Sequence, residues 1–167
     1  MSGGSSLAIR AATPADRGLV FALVRELAEY EKLSHEVDAS EHDLARVLFA
    51  PQPRVFCDIA EWNGEAAGFA LWFLNFSSFR GRHGIYLEDI FVQPAHRGKG
   101  IGKALLLHLA RLCAERGYTR LEWSVLDWNT PAIDFYKSLG AVLMTEWSIC
   151  RLTGEALSAL GGRSGTR

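Results

Sequence analysis

The stretch Gln93-Pro94-Ala95-His96-Arg97-Gly98-Lys99-Gly100-Ile101-Gly102-Lys103-Ala104 has glycine at every second position from Gly98 to Gly102. An apolar strand-like run precedes it and an amphipathic run follows. Glycines at such a junction let the backbone approach a ligand closely, and the first N–H groups of the coming helix point at it, which makes a cradle for an anion. Two phosphate motifs are excluded by inspection. A dinucleotide fingerprint starting at Gly98 needs glycine where Lys103 stands. A P-loop ending at Gly102-Lys103 needs glycine at Arg97 and Ser or Thr at Ala104. Just upstream, Tyr86-Leu87-Glu88-Asp89-Ile90-Phe91-Val92 sets two carboxylates in the middle of an apolar strand, an uncomfortable place for a purely structural acid. Strict alternation puts Glu88 and Asp89 on opposite faces.

The elements that must carry these residues follow from periodicity and punctuation. Residues 7–11 alternate as a strand, and Thr13-Pro14-Ala15-Asp16 opens a helix with a cap, a proline and an acid in the right order. That helix is expected to run to about Leu33, and a second one to open at Ser40 and stop before Pro51. Residues 54–62 and 65–77 read as strands joined by the Asn63-Gly64 turn. A strand over 86–92, a helix over 99–116 closed by Gly117, and a strand over 120–126 come next. A short helix over 130–139 closed by Gly140, a strand over 148–153 and a short terminal helix complete the chain. The pattern is one mixed α/β domain over residues 7–160, a mostly antiparallel twisted sheet flanked by helices. The Gly/Ser-rich ends, 1–6 and 161–167, are expected to be disordered.

Composition narrows the function. The chain has 167 residues, 49% hydrophobic and 22% charged, which excludes disordered and low-complexity classes. No apolar run approaches the roughly 20 residues of a membrane span, and Met1–Ser6 lacks the features of a signal peptide, so a cytoplasmic protein without a membrane partner is expected. Cys57, Cys113 and Cys150 form no C-x-x-C pair, and His35 and His42 have no ligand spacing, so no metal site is expected. The net charge of −1 hides two fields, an acidic one from Glu26 to Asp43 and a basic one from Arg97 to Arg120. The basic residues cluster at the glycine turn without interleaved aromatics, which argues against nucleic acid.

Arg97-x-x-Gly100-x-Gly102 after a strand resembles the pyrophosphate loop of the Gcn5-related N-acetyltransferases. The surroundings sharpen the likeness: Tyr86-Leu87-Glu88-Asp89, then Val125-Leu126-Asp127-Trp128-Asn129, then Ala132-Ile133-Asp134-Phe135-Tyr136-Lys137 and Leu139-Gly140-Ala141. Together they are similar to the diamine acetyltransferase branch, from about Leu7 to Leu160. The resemblance implies acetyl-CoA as co-substrate, its pantetheine along Ile90-Phe91-Val92 and its pyrophosphate on the N–H groups of Gly98, Lys99, Gly100, Ile101, Gly102 and Lys103, with Arg97 beside them. It implies that Asn129, Thr130, Pro131, Ala132 and Tyr136 line the CoA arm and the thioester. It further implies Glu88 as the base, acting directly or through water, and Tyr136 as the acid, and it makes the protein a homodimer.

On the amine side, Ala28-Glu29-Tyr30-Glu31 resembles the family's amine-binding segment, with Tyr30 and Glu31 at the contacts to a distal ammonium. Glu122, Trp123 and Ser124 match a second substrate-contacting stretch. The loop Ser78-Phe79-Arg80-Gly81-Arg82-His83 departs from the polyamine pattern. Its two arginines disfavour a long polycation and suit a substrate with a carboxylate, such as a thialysine-like amino acid. The expected activity is acetyl transfer to a small cationic amine. The alternatives are acetylation of a protein N-terminus or lysine on the same fold, or a non-catalytic acyl-CoA-binding module, against which Glu88, Asn129 and Tyr136 together argue.

Overall fold

The computed structural model describes residues 6–162, so the expected disorder at 1–5 and 163–167 lies outside the described residues. Ser6 itself is tied down: its N–H donates to Asn63 Oδ1 at 2.9 Å and its carbonyl accepts from the Asn63 N–H at 2.8 Å. Two compact units form, one ending at Ser124 and one beginning at Val125.

The first unit is a five-stranded sheet in sequential order: β1 (Leu7–Ala11), β2 (Val55–Trp62), β3 (Glu65–Ser77), β4 (Arg82–Val92) and β5 (Leu121–Trp123). All neighbours are antiparallel except β4 and β5, which run parallel. The β2–β3 turn is a tight hairpin because Asn63 and Gly64 both take positive φ, 54° and 82°, which matches the twist of the flanking strands. On one face, α1 (Arg17–Tyr30) and α2 (Glu41–Leu48) cover the sheet, and Val20, Leu23, Leu27 and Leu48 pack with Cys57, Ile59, Phe69, Leu71 and Phe91. The opposite face carries α3 (Ile101–Arg116): His108 approaches Asp58 and Arg116 lies over Trp72, residues that alternate with Cys57 and Leu71. Among the described residues no helix is long and apolar enough to cross a membrane.

Helix starts follow the sequence closely. The Thr13 N–H donates to the Asp16 carboxylate at 2.7 Å, and the Asp43 N–H donates to Ser40 Oγ at 3.2 Å while the Ser40 N–H returns to Asp43 at 2.9 Å. One helix end does not. Helix α1 stops at Tyr30 rather than near Leu33, because Lys32 takes a left-handed φ of 61°. The Lys32 N–H then donates to the Glu29 carbonyl at 3.1 Å and the Leu33 N–H to the Ala28 carbonyl at 2.8 Å, the two bonds of a Schellman closure. Helix α3 closes the same way with Gly117 in that position. Lysine gives no such signal in a sequence.

Strand β4 begins at Arg82, four residues before the expected Tyr86, because pairing with β3 continues through Ser77 opposite Arg82. Strand β5 is shorter than the expected 120–126. The second unit contains α4 (Thr130–Ser138) and α5 (Gly154–Leu160). The strand expected over 148–153 does not form: no partner strand pairs with it among the described residues, and Ile149 and Leu152 are exposed. A short segment forms no strand without a neighbour to pair with.

Candidate active site

The site is built at the junction of β4 and α3. After Val92 the chain makes a single 3-10 turn, Pro94–His96, and enters the glycine turn. Gly98 and Gly100 take φ of 76° and 77°, a region that disfavours any side chain, and a Cβ at either would meet no atom within 4 Å. The space above both glycines is therefore open. The Ala104 N–H is the first to close an intrahelical bond, onto the Gly100 carbonyl at 3.0 Å, and the N–H groups of the preceding turn point outward at the positive end of the helix. That geometry fits a pyrophosphate. Lys99 and Lys103 are exposed beside it. Arg97 is turned aside: its Nε donates to the Val92 carbonyl at 3.1 Å, and its guanidinium lies 4.6 Å from the Tyr30 ring centre and 5.6 Å from that of Phe91.

Strand β5 pairs with β4 only as far as Leu87 opposite Trp123. From Glu88 to Val92, the edge of β4 turned away from β3 has no strand beside it among the described residues. The N–H and C=O groups that alternate toward that side belong to Ile90 and Val92, while those of Phe91 face β3. The Ile90 groups can pair with an extended arm, and the Val92 carbonyl already accepts from Arg97 Nε.

A β-bulge sits at the carboxylates. Leu71 lies opposite Asp89 and Trp72 opposite Leu87, so Glu88 is the extra residue on β4. Simple alternation is broken here. Asp89 shares the face of Leu71 and α1, whereas Glu88 is exposed on the bulge. Burial, then the charges of Glu88 and Glu31, push the Asp89 carboxyl up to about 7. Burial also raises the Glu31 carboxyl above its ordinary range. The last turn of α1 and the bulge of β4 therefore bring three acids together. Tyr30, 6.3 Å from Phe91 between ring centres, joins them.

At the end of β5, Glu122 accepts from Asn75 Nδ2 at 2.8 Å and lies 3.4 Å from Arg120 Nε. Ser124 shares a hydrogen bond of 2.8 Å with the Tyr86 hydroxyl. Tyr86 was not singled out as a site residue in the sequence; its signal is its place at the head of the Tyr-Leu-Glu-Asp run, facing the same way as Phe73, 5.2 Å away. Arg82, one of the two arginines of segment 78–83, reaches toward α3. Its guanidinium donates to the Gly117 carbonyl at 3.4 Å, at the C-terminal end of α3. Six residues of strand, about 20 Å, separate it from Glu88.

In the second unit, Asn129 is buried and caps α4, accepting from the Ala132 N–H at 3.4 Å. Thr130, Pro131 and Ala132 form the first turn, with proline where a helix tolerates it. Tyr136 is half-buried on the same helix, its ring centre 5.6 Å from that of Phe135. Among the described residues no group of three or more His, Cys, Asp or Glu side chains is placed to hold a metal.

The model of the Acetyltransferase (GNAT) family matches residues 17–141, across the β4–α3 junction and into the second unit. The chain belongs to the GNAT acetyltransferase family. It is 42% identical over 166 residues to a thialysine N-epsilon-acetyltransferase of Bos taurus, with 93% of this chain and 97% of the relative covered. It is 34% identical to an L-ornithine N5-acetyltransferase of Arabidopsis thaliana, with 91% and 86% covered. A solved integron cassette protein from the mobile metagenome of V. cholerae superposes with a TM-score of 0.77 at 32% identity, covering 93% of this chain and 98% of that one. As a GNAT enzyme the protein is an N-acetyltransferase that transfers acetyl to an amine. Acetyl-CoA is the family's co-substrate, and the open glycine turn and free β4 edge fit it.

Proposed function

We propose that this GNAT enzyme acetylates a primary amine of a small cationic substrate, either an amino acid with a side-chain amine or a diamine. The observation that supports it most is the acidic locus at the bulge, where Asp89, Glu88 and Glu31 meet and burial, then the charges of Glu88 and Glu31, push the Asp89 carboxyl up to about 7. A bound cation relieves that repulsion. The relatives named for thialysine and L-ornithine point to the same kind of molecule.

An alkyl amine has a pKa of about 10.4, so at neutral pH it is an ammonium with no lone pair. In this reading Glu31 and Asp89 hold the distal ammonium, with Tyr30 beside them. Glu88, exposed on the bulge, takes the proton from the reacting nitrogen, directly or through one water, and passes it to solvent. Glu122, Trp123 and Ser124 border the amine. The N–H groups from Gly98 to Lys103 hold the pyrophosphate, with Arg97, Lys99 and Lys103 supplying positive charge. The backbone of Ile90, Phe91 and Val92 holds the pantetheine arm, and Asn129, Thr130, Pro131 and Ala132 line it. Acetyl-CoA supplies the activated thioester. A phenol in water has a pKa of about 10, and in this reading Tyr136 gives its hydroxyl proton to the departing sulfur.

The test is a panel of thialysine, L-ornithine, putrescine, spermidine and matched monoamines with acetyl-CoA, read as free thiol. Dibasic substrates should outrun monoamines of equal length. Glu88→Gln and Tyr136→Phe should each lower kcat by about 10²- to 10⁴-fold, whereas Asp89→Asn should chiefly raise the KM for the dibasic substrate. If Asp89→Asn abolishes kcat and Glu88→Gln does not, Asp89 is the base. Activity on none of these amines overturns the assignment.

We further propose that the enzyme is a homodimer. The support is the exposed apolar side chains of the second unit, among them Val142, Met144, Trp147, Ile149 and Leu160. A monomer mass by light scattering contradicts it.

A further inference from the structure

We infer that Arg97, beyond any contact with phosphate, is a positioning residue for the amine side of the reaction, binding the end of α1 to the glycine turn. The inference rests on the reading of Tyr30 and Glu31 as the amine-binding segment. Its basis is a pair of contacts between two short segments. Gln93 Nε2 donates to both carboxylate oxygens of Glu26, at 3.0 and 3.1 Å. The Arg97 guanidinium lies 4.6 Å from the ring centre of Tyr30. Glu26 and Tyr30 are four residues apart, on one face of α1. Gln93 and Arg97 are also four apart and flank the 3-10 turn that leads into the cofactor loop. The last turn of α1 is thus held at both ends by the segment that feeds the turn.

Arg97 is suited to this in a way that lysine is not. Its Nε is held by the Val92 carbonyl at 3.1 Å, which fixes the guanidinium plane over Tyr30 and Phe91. A planar cation stacks on aromatic faces, whereas an ammonium is a hydrated point charge on a flexible stem. The stacking has a consequence for specificity. With Arg97 on one face of Tyr30, that face is closed to a substrate ammonium, so recognition of the distal charge falls to Glu31 and Asp89. Tyr30, set between Arg97 and Phe91 of β4, then acts by fixing the end of α1, and with it Glu31, the next residue, beside β4. It also follows that occupation of the glycine turn and occupation of the amine site are coupled, since both depend on where segment 93–97 sits, and such coupling is reciprocal.

The experiment is a double-mutant cycle of Arg97→Lys and Tyr30→Leu, read as separate KM values for acetyl-CoA and for the best dibasic amine. Arg97→Lys keeps the positive charge near the phosphates and removes the stacked plane. At saturating acetyl-CoA it should raise the KM for the dibasic amine by about tenfold, within the range of a stacked cation on an aromatic ring, and should change that of a monoamine much less. Tyr30→Leu should do the same, and the double variant should be no worse than the worse single one. Glu26→Ala cuts the other link without touching either ligand and should shift the amine KM in the same direction, by a smaller factor. Thermal melting of each variant reports whether it is folded, and Glu26→Ala carries the test if Arg97→Lys is not. A rise confined to the KM for acetyl-CoA, or additive effects in the cycle, overturns the inference while leaving the site assignment intact. A wild-type enzyme that acetylates no amine overturns both.

Discussion

Glycine at position 100 is required twice over. Its left-handed φ of 77° excludes a β-branched residue, and the open space above it is where the pyrophosphate is proposed to sit. Gly100→Val should therefore weaken CoA binding by at least about tenfold, about 1.4 kcal/mol, with secondary structure retained by circular dichroism. Unchanged affinity in a folded variant would move the cofactor elsewhere. The neighbouring Arg97 shows how little a motif says about a side chain's direction. Its type and spacing match a phosphate loop, and the fold adds partners that no motif announces: the Val92 carbonyl at Nε and the rings of Tyr30 and Phe91 under its guanidinium. Asp89 makes the same point with charge: its neighbour in sequence is one source of its altered proton affinity, but burial is the larger one, and burial is a property of the fold.

Helix α1 ends where it does because two hydrogen bonds close it around Lys32, and that ending delivers Tyr30 and Glu31 to the bulge. A non-glycine residue at φ 61° carries strain of about 1 kcal/mol. Lys32→Gly removes that strain, offset in part by the greater freedom of glycine in the unfolded chain. The expected result is a net gain of about 0.5 kcal/mol, a rise in Tm of about 1–2 °C, measured by calorimetry. A loss of stability would show that the lysine side chain contributes more than its backbone costs. Helix α3, closed by Gly117 with the same pair of bonds, provides the internal reference.

For the whole molecule, the acidic locus makes stability depend on pH in a direction opposite to the usual carboxylate. Folding raises the Asp89 carboxyl from 3.8 to about 7, so between pH 4 and 7 the folded state holds a proton that the unfolded chain releases. Stability then falls as pH rises through that window, by about 2–4 kcal/mol at one unit per ~1.4 kcal/mol. Asp89→Asn should flatten this slope and be more stable than the wild type at pH 8, with little difference at pH 4. Urea unfolding at the two pH values checks it. A wild-type slope that is already flat would mean that Asp89 is ionised throughout. Saturating diamine should have the same stabilising effect at pH 8 as the substitution, since it neutralises the same charges.

Local order was legible in the sequence wherever a short-range rule decides the outcome. The glycine turn after an apolar strand, the Asn63-Gly64 hairpin, the caps at Thr13 and Ser40 and the proline at the start of α4 each depend on residues within a few positions of one another. So did the family resemblance, which is carried by contiguous motifs. What only the tertiary structure decided depends on partners distant in the chain. The bulge at Glu88 exists because β3 and β4 must shift register between Leu71 and Trp72, and no property of the Leu-Glu-Asp triplet announces it. The strand expected over 148–153 has no neighbour to pair with among the described residues. Arg82 lies six residues before Glu88 in sequence, yet it donates to the Gly117 carbonyl, because a strand spreads its residues about 3.3 Å apart and so sets the two about 20 Å from one another.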